Sequence, residues 1–466
     1  MWAIHRARLN GHVQVEISAA WRSAKPSASS HKLATMGLKN RQRRAAKARQ
    51  RKAAHKQHHP GTEQGWEGCD RFRIGAASLA LRQLLLARVA GQRTMLDTEM
   101  FGRHLEEYRQ GAIDDQLGIA VCQLFDNGWT PADLHEVSRR KFDPPIVEHL
   151  MSVLADETAR HDDARINSEW SAQVAQLAAT RTGTSSEWAK VGNLAWHAAQ
   201  RTLIELLVLL YSLPVVEPAL PAPGAMPTIS APATGVDERV LRKVRALLVK
   251  AESTGFQDEA DALTAKAQQL MTQHSITRTL AETKQPQRRP PIVRRMWLDA
   301  PYVNAKSLLV AAVAGSNHCY SIMSSEWGFV TLVGHDADLD TIELLTTSLL
   351  VQAIRAMTAS GAHLARDGVS RTRSFRQSFL IAYAGRIGER LRESATDTET
   401  AVDTARGGAL LPVLAARDHA LRDAVAAMFP DVLHRQLTAS NLAGWGAGRA
   451  AADLALFDIH AALADR

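Results

Sequence analysis

Apolar residues return every three or four positions from about Phe72 to Leu213, through Leu79, Leu84, Leu85 and Val89 and later Leu117, Val121 and Leu124. That is the period of amphipathic helices, and it predicts a helical domain over residues 68–213. Within it Asn127-Gly128 closes one helix, and Thr130-Pro131 supplies an N-cap and a first-turn proline for the next, Ala132 to Lys141. The short turn has the outline of a helix-turn-helix. Arg139, Arg140 and Lys141 suit DNA, but the same charges also favour the C-terminal end of any helix dipole. Trp170, Trp188 and Trp196 are expected to be core or domain-contact aromatics.

Two stretches break the pattern. Residues 214–236 hold six of the seventeen prolines with almost no charge, the composition of a semi-rigid linker. A second linker is expected over 277–296, around Pro286, Pro290 and Pro291. Between them, residues 237–276 carry the clearest pattern in the chain. Val240, Val244, Leu247, Leu248 and Ala251 form one stripe, and Arg239, Arg242, Lys243, Arg245 and Lys250 occupy the remaining surface. Ser253-Thr254-Gly255 breaks this helix. Ala260, Leu263, Ala267, Leu270 and Met271 then align on a second, so the stripes can close into a helical hairpin. Some forty residues cannot bury a substantial core alone, which implies that the hairpin docks on another body or a protein partner.

Beyond Trp297 the pattern predicts helix Val303 to Ala314, strand His318 to Met323, strand Gly328 to Val333 and helix Ala337 to Met357. Ser324-Ser325-Glu326-Trp327 suits the hairpin loop. Further helices are expected near Arg371 to Glu393, Ala415 to Met428 and Asn441 to Phe457. The predicted fold class is mainly α with a small α+β C-terminal domain: a helical N-terminal domain, a helical hairpin, and an αββα core plus helices over 297–466.

Charge changes this picture at one end. Residues 1–59 hold fourteen Lys or Arg against one acid, Glu16, for a net of +13; since the whole chain carries +8, residues 60–466 carry −5. The basic character therefore describes an arm, expected to be disordered by itself. Its densest part is Lys39, Arg41, Arg43, Arg44, Lys47, Arg49, Arg51 and Lys52, followed by Lys56. Such a segment attracts RNA or DNA phosphates; it also reads as a solubilising tail or a contact for an anionic membrane surface. His55, His58 and His59 resemble a metal tract, but a polar tail suffices. Residues 1–35 differ in character from the basic run after them, and Met36-Gly37-Leu38-Lys39 reads like a protein start. Three cysteines, Cys69, Cys122 and Cys319, exclude a disulfide framework and a Cys-rich zinc module. The longest apolar run, Leu203 to Val216, is interrupted by Glu205 and is too short to span a bilayer, and no secretory h-region opens the chain, so a cytoplasmic protein with no transmembrane segment is expected.

The hairpin also resembles a known family. Val240-Leu241-Arg242-Lys243-Val244-Arg245-Ala246-Leu247-Leu248, then Ala251-Glu252-Ser253-Thr254, Glu259-Ala260, Ala265-Lys266-Ala267, Leu270-Met271 and His274-Ser275-Ile276, are similar to domain of unknown function 2786, found in bacteria and their phages. Trp297 to Asp453 is similar to the region that follows this domain in actinobacterial members, and the basic start at Met36 suits that group. The resemblance implies an architecture and brings no mechanism.

Two clusters are candidate sites. His335, Asp336, Asp338 and Asp340, with Glu343 one turn later, place carboxylates and an imidazole where a strand meets a helix, which suits magnesium or manganese or acid/base work. Aspartates in a first helical turn are equally expected as capping and dipole groups. On the helix after Arg371, Arg376, Arg386 and Arg390 fall within an arc of about 80° that also holds Phe379 and Tyr383, a face that can hold phosphates and stack bases, or bury aromatics while the arginines reach water or acids. Ile381, Ala384, Gly385 and Gly388 on its other side permit close packing. Gly444 and Gly448, one turn apart, likewise suit close approach of a helix. His274 reads as a hairpin histidine, and His318-Cys319 as adjacent strand residues facing opposite ways and not as a catalytic pair. No recognised catalytic motif is present, and no cofactor is expected beyond a divalent metal at the aspartate cluster. Three functions remain open: a nucleic-acid-associated binding protein using the basic arm, a metal-dependent enzyme acting on nucleic acid or phosphate esters, and a protein-interaction scaffold.

Overall fold

A computed structural model describes residues 12–18, 65–91, 108–177, 183–225, 290–361, 363, 370–405 and 407–455, with isolated positions between 239 and 276. The basic cluster from Lys39 to Lys52, the histidines at 55, 58 and 59, and His274 lie outside the described residues. The chain divides into two compact units, Trp21–Thr228 and Met1–Ala20 with Ile229–Arg466. Among the described residues no helix is long and apolar enough to cross a membrane.

The first unit is helical, as its 3.6-residue period predicts. It contains α1 (Gly65–Val89), α2 (Arg109–Asp126), α3 (Pro131–Arg139), α4 (Pro144–Thr158), α5 (Ser168–Leu177), α6 (Ser185–Val191) and α7 (Trp196–Ser212). Leu81 and Leu85, Ile113 and Leu117, Leu150 and Leu154, and Leu203 and Leu206 bury the inner faces of α1, α2, α4 and α7. Between α2 and α3, Gly128 takes φ +87°, and a side chain there would run into the Val216 carbonyl. Thr130 caps α3 in a reciprocal box with Asp133. The buried tryptophans are fixed through their indole N–H groups: Trp129 donates to the Pro214 carbonyl at 2.7 Å and Trp188 to that of Pro145 at 2.9 Å. The segment from Pro214 is therefore not wholly a free linker. Val216 N–H donates to Asn127 and Gly224 N–H to Arg165, which lays its opening residues on the helices.

The second unit is α+β. Its sheet runs β2-β4-β3-β1-β5, with β1 at His12–Ser18, β2 at Ile292–Trp297, β3 at Tyr320–Ser324, β4 at Phe329–Gly334 and β5 at Val432–Thr438. β2, β4 and β3 are antiparallel, with Trp297 opposite Phe329 and Phe329 opposite Ser324. β1 pairs antiparallel to β5 and parallel to β3. The helices are α8 (Val303–Gly315), α9 (Asp336–Ala359), α10 (Thr372–Ala405), α11 (Leu410–Met428) and α12 (Leu442–Asp453). The αββα core of α8, β3, β4 and α9 is as expected from the sequence, with the hairpin loop displaced by one residue.

Three strands differ from the sequence reading. His12–Ser18 is a strand although its composition places it in a disordered arm; its alternation, Val13, Val15 and Ile17, is that of a strand. Ile292–Trp297 falls within the expected linker because of Pro290 and Pro291, but these prolines only precede an edge strand, where a missing N–H is tolerated. β5 fills the gap left between two predicted helices.

The core of this unit is organised by α10. Phe375, Phe379, Tyr383, Ile387 and Leu391 recur every four residues and are buried with Leu309 and Val313 of α8 and Leu339, Ile342 and Leu349 of α9. A methyl group on Gly388 would stand 3.1 Å from the Ala312 side chain of α8. On another side α12 approaches so closely that a methyl group at Gly444 or Gly448 would overlap the Phe375 or Phe379 carbonyl. The hairpin segment docks here too: Leu247 and Leu270 pack against this core, and Ile276 packs with Leu410 and Leu414 of α11. These three apolar side chains of the segment are thus taken up within its own chain.

Gly448→Ala is expected to destabilise this unit by about 1–3 kcal/mol, because a backbone carbonyl cannot yield as a side chain would. Gly446→Ala, at a position with nothing within 4 Å, should be neutral or slightly stabilising. Urea unfolding of the two full-length variants checks the contrast.

Candidate functional site

The aspartate cluster is divided between two arginines. Arg294, on β2, reaches Asp336 at 2.8 Å and Glu343 at 3.5 Å and also binds Asp340. These contacts outweigh the burial of the guanidinium and raise its pKa. Asp338 points the other way and pairs with Arg417 of α11, both side chains being only 10% exposed. Arg417 also donates to Ser275 Oγ at 3.4 Å, which ties the end of the hairpin to the same place. His335 occupies the N-cap of α9 but makes no cap bond through its side chain. The five residues are neighbours in sequence, yet the helix turns Asp336, Asp340 and Glu343 towards one arginine and Asp338 towards another. Among the described residues no group of three or more His, Cys, Asp or Glu is arranged to hold a metal ion. The expected alternative, capping, also takes a different form, since the aspartates serve mainly as partners of arginines.

A second cluster lies at the C-terminal end of α8, where His318 adopts a left-handed backbone with φ +53°. Its Nδ1 lies 2.9 Å from Asp418 Oδ1 on α11, and its Nε2 lies 2.9 Å from Glu399 Oε1 on α10. Burial opposes the imidazolium, but the two carboxylate hydrogen bonds prevail and push its pKa up to about 10. His318 is therefore a doubly paired cation that holds α8, α10 and α11 together, and it is not a neutral base. Cys319 is buried, and its thiol pKa is raised well above normal by that burial. The pair is not a nucleophile with its base, which agrees with the sequence expectation, although the cause is ion pairing and burial.

The α10 arginines are directed into the fold. Arg386 pairs with Asp453 and with Glu389 at 3.0 Å. Arg390 donates to the carbonyls of Ala452, Asp453 and Ala455 and so closes the end of α12. Arg376 is half-buried, and its Nε has no hydrogen-bond partner. Phe379 and Tyr383 are each 1% exposed, so neither ring can receive a base. In the helical unit Arg139 and Arg140 both pair with Glu136, at 2.7 and 2.5 Å. Despite its burial, Glu136 has its pKa lowered well below the usual carboxylate range by hydrogen bonds from His135, Arg139 and Arg140.

Another buried polar group in that unit carries no sequence signature. His149 Nε2 lies 3.1 Å from Ser185 Oγ, and Asp114 accepts from Ser185 N–H at 3.0 Å. The ring stacks on Trp188 at 5.1 Å between centroids. Burial lowers the His149 pKa to about 4, so the ring is neutral at pH 7, and burial raises that of Asp114. Ser185 thus joins His149 to Asp114, and the ring stacked on Trp188 completes the network.

Comparison with known proteins agrees with the hairpin's sequence pattern. The model of the family described as "Protein of unknown function (DUF2786)" matches residues 239–278. No curated protein and no solved structure matches the chain.

Two stability measurements probe this geometry. Asp338→Asn leaves Arg417 without its buried carboxylate and should cost about 3–5 kcal/mol. Asp336→Asn, at a side chain 58% exposed, should cost less than about 1 kcal/mol; equilibrium urea unfolding compares them. The contribution of His318 is fully present below its unfolded-state value near 6.5, declines as pH rises above that, and is lost once pH passes through about 10. His318→Gln should remove this decline from a series of unfolding midpoints between those limits.

Proposed function

We propose that the protein is an intracellular nucleic-acid-associated binding protein that engages the phosphate backbone of RNA or DNA through its basic N-terminal arm. The observation that carries this reading is the segregation of charge: +13 over residues 1–59, against −5 over the rest of the chain. An acidic body tethered to a strongly basic segment binds polyanions through that segment, with an affinity set by the counterions released. The engagement of Arg386 and Arg390 with acidic side chains and helix-end carbonyls weighs against a phosphate face on α10 and supports placing the contact in the arm. The pairing of Asp336, Asp338, Asp340 and Glu343 with arginines weighs against the metal-dependent alternative.

The test keeps β1 and changes only the arm. Lys39, Arg41, Arg43, Arg44, Lys47, Arg49, Arg51 and Lys52 are replaced by Gln in the full chain, and binding to labelled RNA and duplex DNA is followed by fluorescence anisotropy across a salt series. The unmodified chain should lose about 10³-fold or more in affinity between about 50 and 200 mM salt. The variant should bind at least about 100-fold more weakly at the low-salt end. Equal binding by the two proteins contradicts the proposal, and degradation of the probe on adding magnesium would favour the enzyme reading.

A further inference from the structure

Of the nineteen residues of α11, four are buried: Leu410, Leu414, Leu421 and Val425. None of them belongs to the main core around α10; Leu410 and Leu414 pack with Ile276 in a small cluster of their own. The middle of the helix is held by polar groups instead. Arg417 pairs with Asp338 of α9 and donates to Ser275 Oγ, Asp418 accepts from His318, and Arg422 donates to the Tyr320 hydroxyl of β3 at 3.4 Å. Just before the helix the chain turns through Gly407 and Gly408, at φ +68° and +83°, with nothing within 4 Å of where either side chain would stand. Rotation at these two residues therefore gives up no side-chain packing. Asp403 accepts from Leu410 N–H at 2.8 Å across the same turn, which moors the first residues of α11 and leaves the rest to pivot. Cys319, 5% exposed, lies against the fastened stretch, between His318 and Tyr320. Burial is the main cause of its raised thiol pKa, and the charges of Asp338, Arg417 and Asp418 act on it as well.

We propose that α11 is a strap that swings away from the body about Gly407-Gly408, held closed by the Arg417–Asp338 and His318–Asp418 pairs, and that its opening bares the Cys319 thiol and releases Ser275 at the end of the hairpin segment. An element with few buried apolar residues opens at a smaller cost than the core it rests on. Ion pairs give such an element one defined closed position, and on opening the same charges regain water, which offsets part of the lost pairing. The main core survives the motion, because Phe375, Phe379 and Tyr383 pack with α8 and α9 and not with α11. Closed, the strap keeps the thiol protonated and out of reach; open, it leaves an ordinary thiol available to soft electrophiles. This device belongs to the folded body and is independent of the arm.

The test follows alkylation of Cys319 by N-ethylmaleimide in the full chain under native conditions, read peptide by peptide by mass spectrometry, with Cys122 of the helical unit as internal reference. In the unmodified chain Cys319 should react at least about tenfold faster than unfolding of the α+β unit allows, and low urea should change that rate less steeply than it changes unfolding. Asp418→Asn removes one hold on the strap and leaves His318 paired with Glu399. It should speed the reaction of Cys319 by about tenfold or more, with the Cys122 rate unchanged. Asp336→Asn, which loosens Arg294 and not α11, should leave both rates as they were. Hydrogen–deuterium exchange of the Asp418→Asn chain should quicken in peptides from Leu410 to Met428 and stay the same from Phe375 to Leu391. Alkylation of Cys319 only in step with unfolding, a rate unaltered by Asp418→Asn, or exchange that quickens equally in α10 overturns the proposal. If the variant does not fold, the urea dependence in the unmodified chain decides alone.

Discussion

The second unit depends on the close approach of α12 to α10. Gly444 and Gly448 let the backbone of one helix lie against the Phe375 and Phe379 carbonyls of the other. At that separation Arg390 can reach across to close the C-terminal end of α12, and Arg386 meets Asp453. The approach thus determines what the arginines of α10 do. Had the helices stood farther apart, the same residues would have formed the cationic, aromatic face that their spacing describes. The other flank of α10 is held by Glu399 on His318, a contact that also draws in α11 through Asp418.

Charge in this protein falls into two populations. In the α+β unit, cations such as Arg294, His318, Arg386 and Arg417 lie in contact with carboxylates from other elements, and their strength there is geometric: they fix which helix meets which strand. On our reading the cations of the arm act outwards, through long-range attraction that salt weakens. The separation lets the body remain acidic and well paired while the chain as a whole keeps an affinity for polyanions.

Much of the fold is legible in the sequence because helices advertise themselves by period. The inward packing of Leu247 and Leu270, the αββα core and the use of Gly444 and Gly448 for close packing all follow from spacing over a few turns. Strands of six or seven residues flanked by prolines or by predicted helices leave a weaker trace, and β2 and β5 escape detection for that reason. The alternation of Val293, Arg295 and Trp297 with Ile292, Arg294 and Met296 carries no polar face to mark it. The site is less legible still. Arg294 is 42 residues from Asp336 and Arg417 is 79 from Asp338, so no local pattern could pair them. Residue type alone makes the aspartates resemble metal ligands and the arginines resemble a phosphate face. Only the tertiary partners distinguish those roles.

On this reading outward-acting charge resides in the arm and not on α10. Hydrogen–deuterium exchange of the full chain, with and without a saturating single-stranded oligonucleotide, tests it most directly by reporting every segment at once. Slower exchange on binding is expected in peptides covering residues 39–52, with α10 peptides from Arg376 to Arg390 unchanged. Protection concentrated on α10, with the arm exchanging as in the free protein, would contradict it.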